Sequence, residues 1–144
     1  MSKIIDQAEA IKFRLDNDVA ELSGVAVIVD RQKDLGEEIK KAVAKAKGAA
    51  VIISASSGRN NKPDDSGLEL LTSFSVVVIT KPIKRKGEPD AITIMEQIII
   101  SIHDFPLTLS THCTRHAKVQ GWKLINHSTY LIYEITLTTP TLLQ

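Results

Sequence analysis

Thr129-Tyr130-Leu131-Ile132-Tyr133-Glu134-Ile135-Thr136-Leu137-Thr138 decides the fold class of this chain. Leu131, Tyr133, Ile135 and Leu137 occupy one face, and Glu134, Thr136 and Thr138 stand on the other. A repeat of two is the signature of a half-buried β-strand, whose successive side chains point to opposite faces of a sheet. A strand of this length near the end of the chain seals a sheet. It does not build a catalytic pocket.

Working back from it, Lys118 to Ile125 reads as a second strand, and Asn126-His127-Ser128 between the two reads as a hairpin turn. Before them, Asp90 caps a helix from Ala91 to about His103. Ala91, Ile92, Met95, Ile98, Ile99 and Ile102 form its expected buried stripe, and Ile94 and Ile100 fall off it. A helix apolar on most sides either lies between two layers or meets a second subunit. Pro106 ends this region, and an irregular Ser/Thr/His segment is expected to run to about Ala117.

The first half is read in the same way. Ser2 caps a helix in which Ile4, Ala8, Ile11, Leu15 and Val19 share a stripe. Val25 to Val29 makes a short strand after Gly24. Asp34 and Glu37 stand at capping-box spacing before an alanine-rich helix that Gly48 closes. Ala49 to Ile53 is the next strand, followed by a polar loop from Ser56 to Gly67. Strand character returns from Leu68 to Thr80. Thirteen residues are long for one strand, which predicts a bulge or bend near Thr72-Ser73. The element order αβαββαββ predicts an α+β domain over residues 1–144, with a mainly antiparallel, twisted sheet and helices packed on it.

Composition narrows the function. The 144 residues are 43% apolar and only 4% aromatic, so aliphatic side chains fill the core. Eighteen Lys and Arg against seventeen Asp and Glu lack the basic excess of a protein that holds nucleic acid by bulk charge. The lone Cys113 excludes an internal disulfide. No apolar run reaches the roughly 18 residues of a membrane span. Asp6, Glu9 and Lys12 break any signal-peptide core, so a soluble intracellular protein is expected.

Motifs for chemistry are weak. His112-Cys113-Thr114-Arg115-His116 has the residue types zinc prefers, but no second ligand cluster stands at finger spacing. Gly48 to Gly58 lacks the Gly-Lys-Ser/Thr ending of a phosphate loop. No Gly-x-Ser-x-Gly elbow selects a triad, and Asp64-Asp65 read as solvated loop acids. No catalytic residue, cofactor or metal is therefore assigned, and no enzyme is expected. Lys81, Lys84, Arg85 and Lys86 form a basic turn, read either as solvated or as a docking loop for an acidic partner or DNA. Trp122 on its strand is core or interface filler, and with Ile94 and Ile100 it makes a candidate subunit interface.

The layout over nearly the whole chain resembles the tail terminator proteins of Mu-like and lambda-like phages and prophages. The likeness rests on the strand near Val25, Ala49 to Ile53 leading into a Gly/Asn/Pro loop, and the strand around Phe74 to Val78. It continues in the helix Asp90 to His103 with its Phe105-Pro106 exit, in Gly121 to Leu124, and in Tyr-x-x-Tyr-x-x-Thr-x-Thr from Tyr130 to Thr138. The resemblance implies a virion subunit assembled in the bacterial host cytoplasm. It would join copies of itself in a ring, typically a hexamer, on the last ring of tail tube protein. That ring would stop tube growth and offer a surface to head-completion proteins, with DNA passing its lumen. Another neck or tail-completion adaptor, or a small nucleic-acid-binding module, is the alternative.

Overall fold

The computed structural model describes residues 2–30, 48–60, 69–81, 90–110, 113–127 and 130–143, together with residues 37 and 41. Helix α1 (Lys3–Asp18) begins where Ser2 Oγ accepts the Ile5 N–H at 3.2 Å, the cap expected from the sequence. Its buried stripe holds Ala8, Ile11 and Leu15 as expected, and Val19 follows at its C-cap. A single 3-10 turn (Ala20–Leu22) and Gly24, at φ 81°, turn the chain into strand β1 (Ala26–Val29).

Strand β1 pairs with β2 (Ala49–Asn60) in parallel, Val27 opposite Val51. Two parallel neighbours need a crossover, which antiparallel neighbours do not. Residues 37 and 41, both helical, lie in this one. Gly48 then enters β2 at φ 62°, the left-handed backbone expected of a residue that closes a helix. Strand β3 (Glu69–Thr80) runs antiparallel to β2, and β7 (Leu131–Leu142) antiparallel to β3. Helix α2 (Ala91–Ile102) packs over β3, β7 and β6 (Lys118–His127). The five-stranded sheet has the order β1-β2-β3-β7-β6 and is antiparallel except at its first pair. This is the α+β architecture expected, with a mixed sheet.

The core lies between the sheet and the two helices. Phe74, Val76, Val51, Ile53, Ile135 and Leu137 meet Ile11, Leu15, Ile94, Met95, Ile98 and Ile102, all at 2% exposure or less. A smaller cluster of Ala50, Ile52 and Ile79 occupies the other side of the sheet, as alternation along β2 and β3 requires.

Several expectations are corrected. The stripe of α2 is rotated: Ile94 is fully buried and Ile92 is exposed, the reverse of the reading from spacing. β2 does not end at Ile53 to give a loop from Ser56 but runs on to Asn60 alongside β3. The bulge lies on β2 rather than on β3. Ala55 faces Phe74 and Ser57 faces Ser73, so Ser56 is the extra residue, and its hydroxyl donates to the Ser73 carbonyl at 3.0 Å. The segment after Pro106 is not irregular, for β4 (Pro106–Ser110) and β5 (Cys113–His116) pair as a separate two-stranded sheet.

β7 also continues past Pro140. Within a strand, the N–H and C=O of one residue point the same way. The Pro140 carbonyl turns onto Gln7 Nε2 at 2.8 Å, on the side where β6 no longer pairs, so the missing amide costs no ladder bond. Gln7 Oε1 in turn accepts from Thr139 at 3.1 Å and Thr141 at 2.7 Å, and Thr72 bonds Thr141 at 2.7 Å. Gln7, Thr72, Thr139 and Thr141 are all buried, and the network ties α1 to β7.

Candidate interaction surface

β6 is an edge strand, and it is irregular. Its pairing with β7 skips Gln120, between Val119 opposite Leu137 and Gly121 opposite Thr136. It skips again at Ile125, between Leu124 opposite Tyr133 and Asn126 opposite Ile132. Two bulges twist a strand and blunt its free edge against uncontrolled pairing. Between them, Trp122 sits opposite Ile135 and Leu124 opposite Tyr133. Directly opposed residues share a face, so Trp122 and Leu124 lie on the helix-covered side of the sheet. The Trp122 ring stands 5.9 Å from that of Tyr133, tilted by 59°.

The cover does not reach them. Trp122 is 56% exposed, and Leu124 and Ile125 are exposed beside it. Of the three candidate interface residues, Ile94 offers no surface, because it is wholly enclosed beneath α2. Ile100, at 70%, projects from the outer side of the same helix, and Phe13 projects similarly from α1. The structure therefore carries exposed apolar side chains on α1, α2 and β6 while their neighbours fill the core. Large apolar side chains grouped on an exposed strand mark a contact surface.

Polar groups frame this strand on its other face. Lys123 lies 3.5 Å from Glu134, which also accepts from Ser75 Oγ at 3.2 Å. In the basic turn, Lys81 is half-buried and its N–H donates to the Gly48 carbonyl at 3.2 Å. Lys84, Arg85 and Lys86 lie outside the described residues, as does His112.

A charged cluster closes the exit of α2. Asp104 holds a left-handed backbone, φ 60°, uncommon for any residue but glycine. Its N–H donates to the Ala117 carbonyl at 2.8 Å, and the Ala117 N–H donates to Phe105 at 2.8 Å. Its carboxylate binds Lys118 Nζ and lies 4.0 Å from both His103 Nε2 and His116 Nδ1. The hydrogen bond from the Lys118 ammonium, reinforced by its charge, holds the Asp104 carboxyl below the ordinary carboxylate value.

Zinc bonds of about 2.0 Å in tetrahedral geometry place ligand atoms roughly 3.3 Å apart. The separations here are wider, and Lys118 already occupies the carboxylate. Among the described residues no group of three His, Cys, Asp or Glu is arranged to hold a metal ion. A cleft of about 440 Å³ between α1 and β4 is lined by Ala10, Phe105, Leu107 and Leu142, with Lys3 and Asp6 as its charged residues. No helix among the described residues is long and apolar enough to cross a membrane.

No family model matches the chain, and no curated protein matches it. The α+β architecture is nevertheless shared with proteins of known structure. One of the matching chains belongs to the virion of a native gene transfer agent (GTA) particle. The two superpose with a TM-score of 0.61 over 94% of this chain and 93% of that one, at 14% sequence identity. At that identity the likeness shows a common fold.

Proposed function

We propose that this chain is a structural subunit of a phage-like particle, a tail terminator that assembles through its exposed apolar surface into a ring capping the tail tube. The observation that carries the reading is the full-length fold shared with a chain of a virion particle. The uncovered Trp122, Leu124 and Ile125 on β6 and the projecting Ile100 on α2 support it. A ring requires two different patches on each subunit that meet by rotation. Apolar side chains on separate elements supply candidates for both. The role is one of shape, without catalysis. Its partners are copies of itself, the tail tube protein and a head-completion protein, with DNA passing the lumen. A different neck or tail-completion adaptor would use the same surfaces against other neighbours.

Light scattering of the concentrated protein, alone and with polymerising tail tube protein, tests the proposal. A discrete closed oligomer that shortens the tubes is expected. A strict monomer that leaves tube length unchanged overturns it.

A further inference from the structure

His103 stands at the C-cap of α2, and its ring faces the first residues of β6. Its Nδ1 accepts the backbone N–H of Val119 at 3.1 Å. An imidazole that accepts at Nδ1 carries its proton on Nε2, and here Nε2 looks toward the Asp104 carboxylate, 4.0 Å away. The ring therefore faces β6 with one nitrogen and Asp104 with the other. β6 requires a bare Nδ1.

Histidine is the side chain whose ordinary charge change falls between about pH 5 and 8. A proton on Nδ1 would set one N–H against another, and the bond to Val119 could not survive. The imidazolium would retain its opposite charge in Asp104. We propose that His103 is a pH-operated latch: neutral, it fastens the Val119 amide of β6 to the end of α2, and protonated, it lets that amide go and holds to Asp104 while β6 stays paired with β7.

The other charged groups around it set its surroundings. His116 of β5 and Lys118 of β6 reach the same carboxylate from the far side. Arg14 and Asp18 of α1 meet α2 at Ser101, where Arg14 Nε donates to the backbone carbonyl at 3.2 Å and Ser101 Oγ donates to Asp18 at 2.8 Å. Val119 precedes the first β6 bulge and stands three residues before Trp122, so the latch acts on the strand that bears the apolar patch. This inference stands apart from the proposed function, because the rearrangement belongs to the subunit itself.

The test follows the Val119 amide by heteronuclear NMR from pH 8 to 5, in the full chain, with its hydrogen-exchange protection relative to the intrinsic rate. In the wild type the resonance should move upfield as pH falls, and protection should drop about fivefold, as loss of one ordinary hydrogen bond predicts. His103→Asn keeps an acceptor at the same place and cannot titrate, so the resonance and its protection should stay constant. Both residues are exposed, and His116→Asn should leave the wild-type titration in place. A Val119 amide that does not respond to pH overturns the proposal. So does a response that persists in His103→Asn or vanishes in His116→Asn.

Discussion

Strands β7 and β6 lie side by side in one sheet and share one hairpin, yet they are built in opposite ways. β7 alternates without interruption, with Tyr133, Ile135, Leu137, Thr139 and Thr141 buried in turn. β6 is broken by bulges at Gln120 and Ile125, and it leaves Trp122 and Leu124 uncovered on the face where β7 is sealed. A strand paired on both sides must keep register with two neighbours, so its pattern is strict. An edge strand has only one neighbour to satisfy and is free to carry a surface for something else. The architecture resides in β7, and the uncovered apolar side chains stand on β6.

The sharpest test of this contrast is Ile135→Ala, which empties a fully enclosed site on β7. It should cost about 2–5 kcal/mol, read as a lowered denaturant midpoint in dilute protein. An effect below 1 kcal/mol would mean that β7 is not the structural half of the pair. Gln7→Met comes next. It preserves volume but leaves the Thr139 hydroxyl and the Pro140 carbonyl without their Gln7 partner, and Thr141 with Thr72 alone. A loss of about 1–3 kcal/mol is expected in the same experiment.

On β6 the expectation reverses. Trp122→Ser should change subunit stability by less than about 1 kcal/mol, because the side chain is already half in water. It should nonetheless weaken self-association at least tenfold in sedimentation equilibrium. Unchanged association would remove β6 from the proposed interface.

The smallest effect concerns Asp104→Asn at the base of β6. The wild-type carboxyl is held below its ordinary value of 3.8 by Lys118, so the folded state binds that proton less readily than the unfolded chain. Its stabilising contribution is complete above the ordinary value and is lost as pH falls through the lower, folded one. The wild type should thus be the more stable protein at neutral pH, and the difference should shrink in thermal melts taken below pH 4. A gap that widens with acid would reverse the sign assigned to this pair.

These differences also explain what could be read from the sequence. The β7 stripe, the α1 stripe, the Ser2 cap and the left-handed Gly48 were legible, because each obeys a local rule that only one structure satisfies. The buried face of α2 was not. With isoleucines at 92, 94, 98, 99, 100 and 102, apolarity runs round the helix and supplies no phase, so only packing distinguishes Ile94 from Ile92. Ser56-Ser57-Gly58 looks like a turn, yet β3 lies alongside and supplies the hydrogen bonds that small residues in an extended chain need. β4 alternates only briefly, Leu107-Thr108-Leu109-Ser110, and β5 offers no apolar alternation at all, so this pair, which stands apart from the main sheet, gave too short a pattern to read.

The candidate surface was half legible. Trp122 stood out as the only tryptophan, but its exposure depends on where α2 stops. Of the Asp104 cluster only His116 drew notice, as part of the His112-to-His116 segment, and for zinc rather than for a carboxylate. Its members come from the exit of α2, the end of β5 and the start of β6, and the β4–β5 excursion brings His103 and Asp104 to His116 and Lys118. The polar Gln7 could have been found, since it falls three after Ile4 and four before Ile11, on the same helical stripe.

The bonds from Gln7 to Thr139 and Thr141 bridge 132 and 134 positions of chain. Until β7 docks on α1, water satisfies the Gln7 amide, and the helix gains its buried polar partners only when a strand far along the chain has formed. Contacts so distant along the chain raise its contact order, which slows folding. Until the final strand docks, the nascent chain keeps its greasiest surfaces open to chaperones and to other unfinished copies.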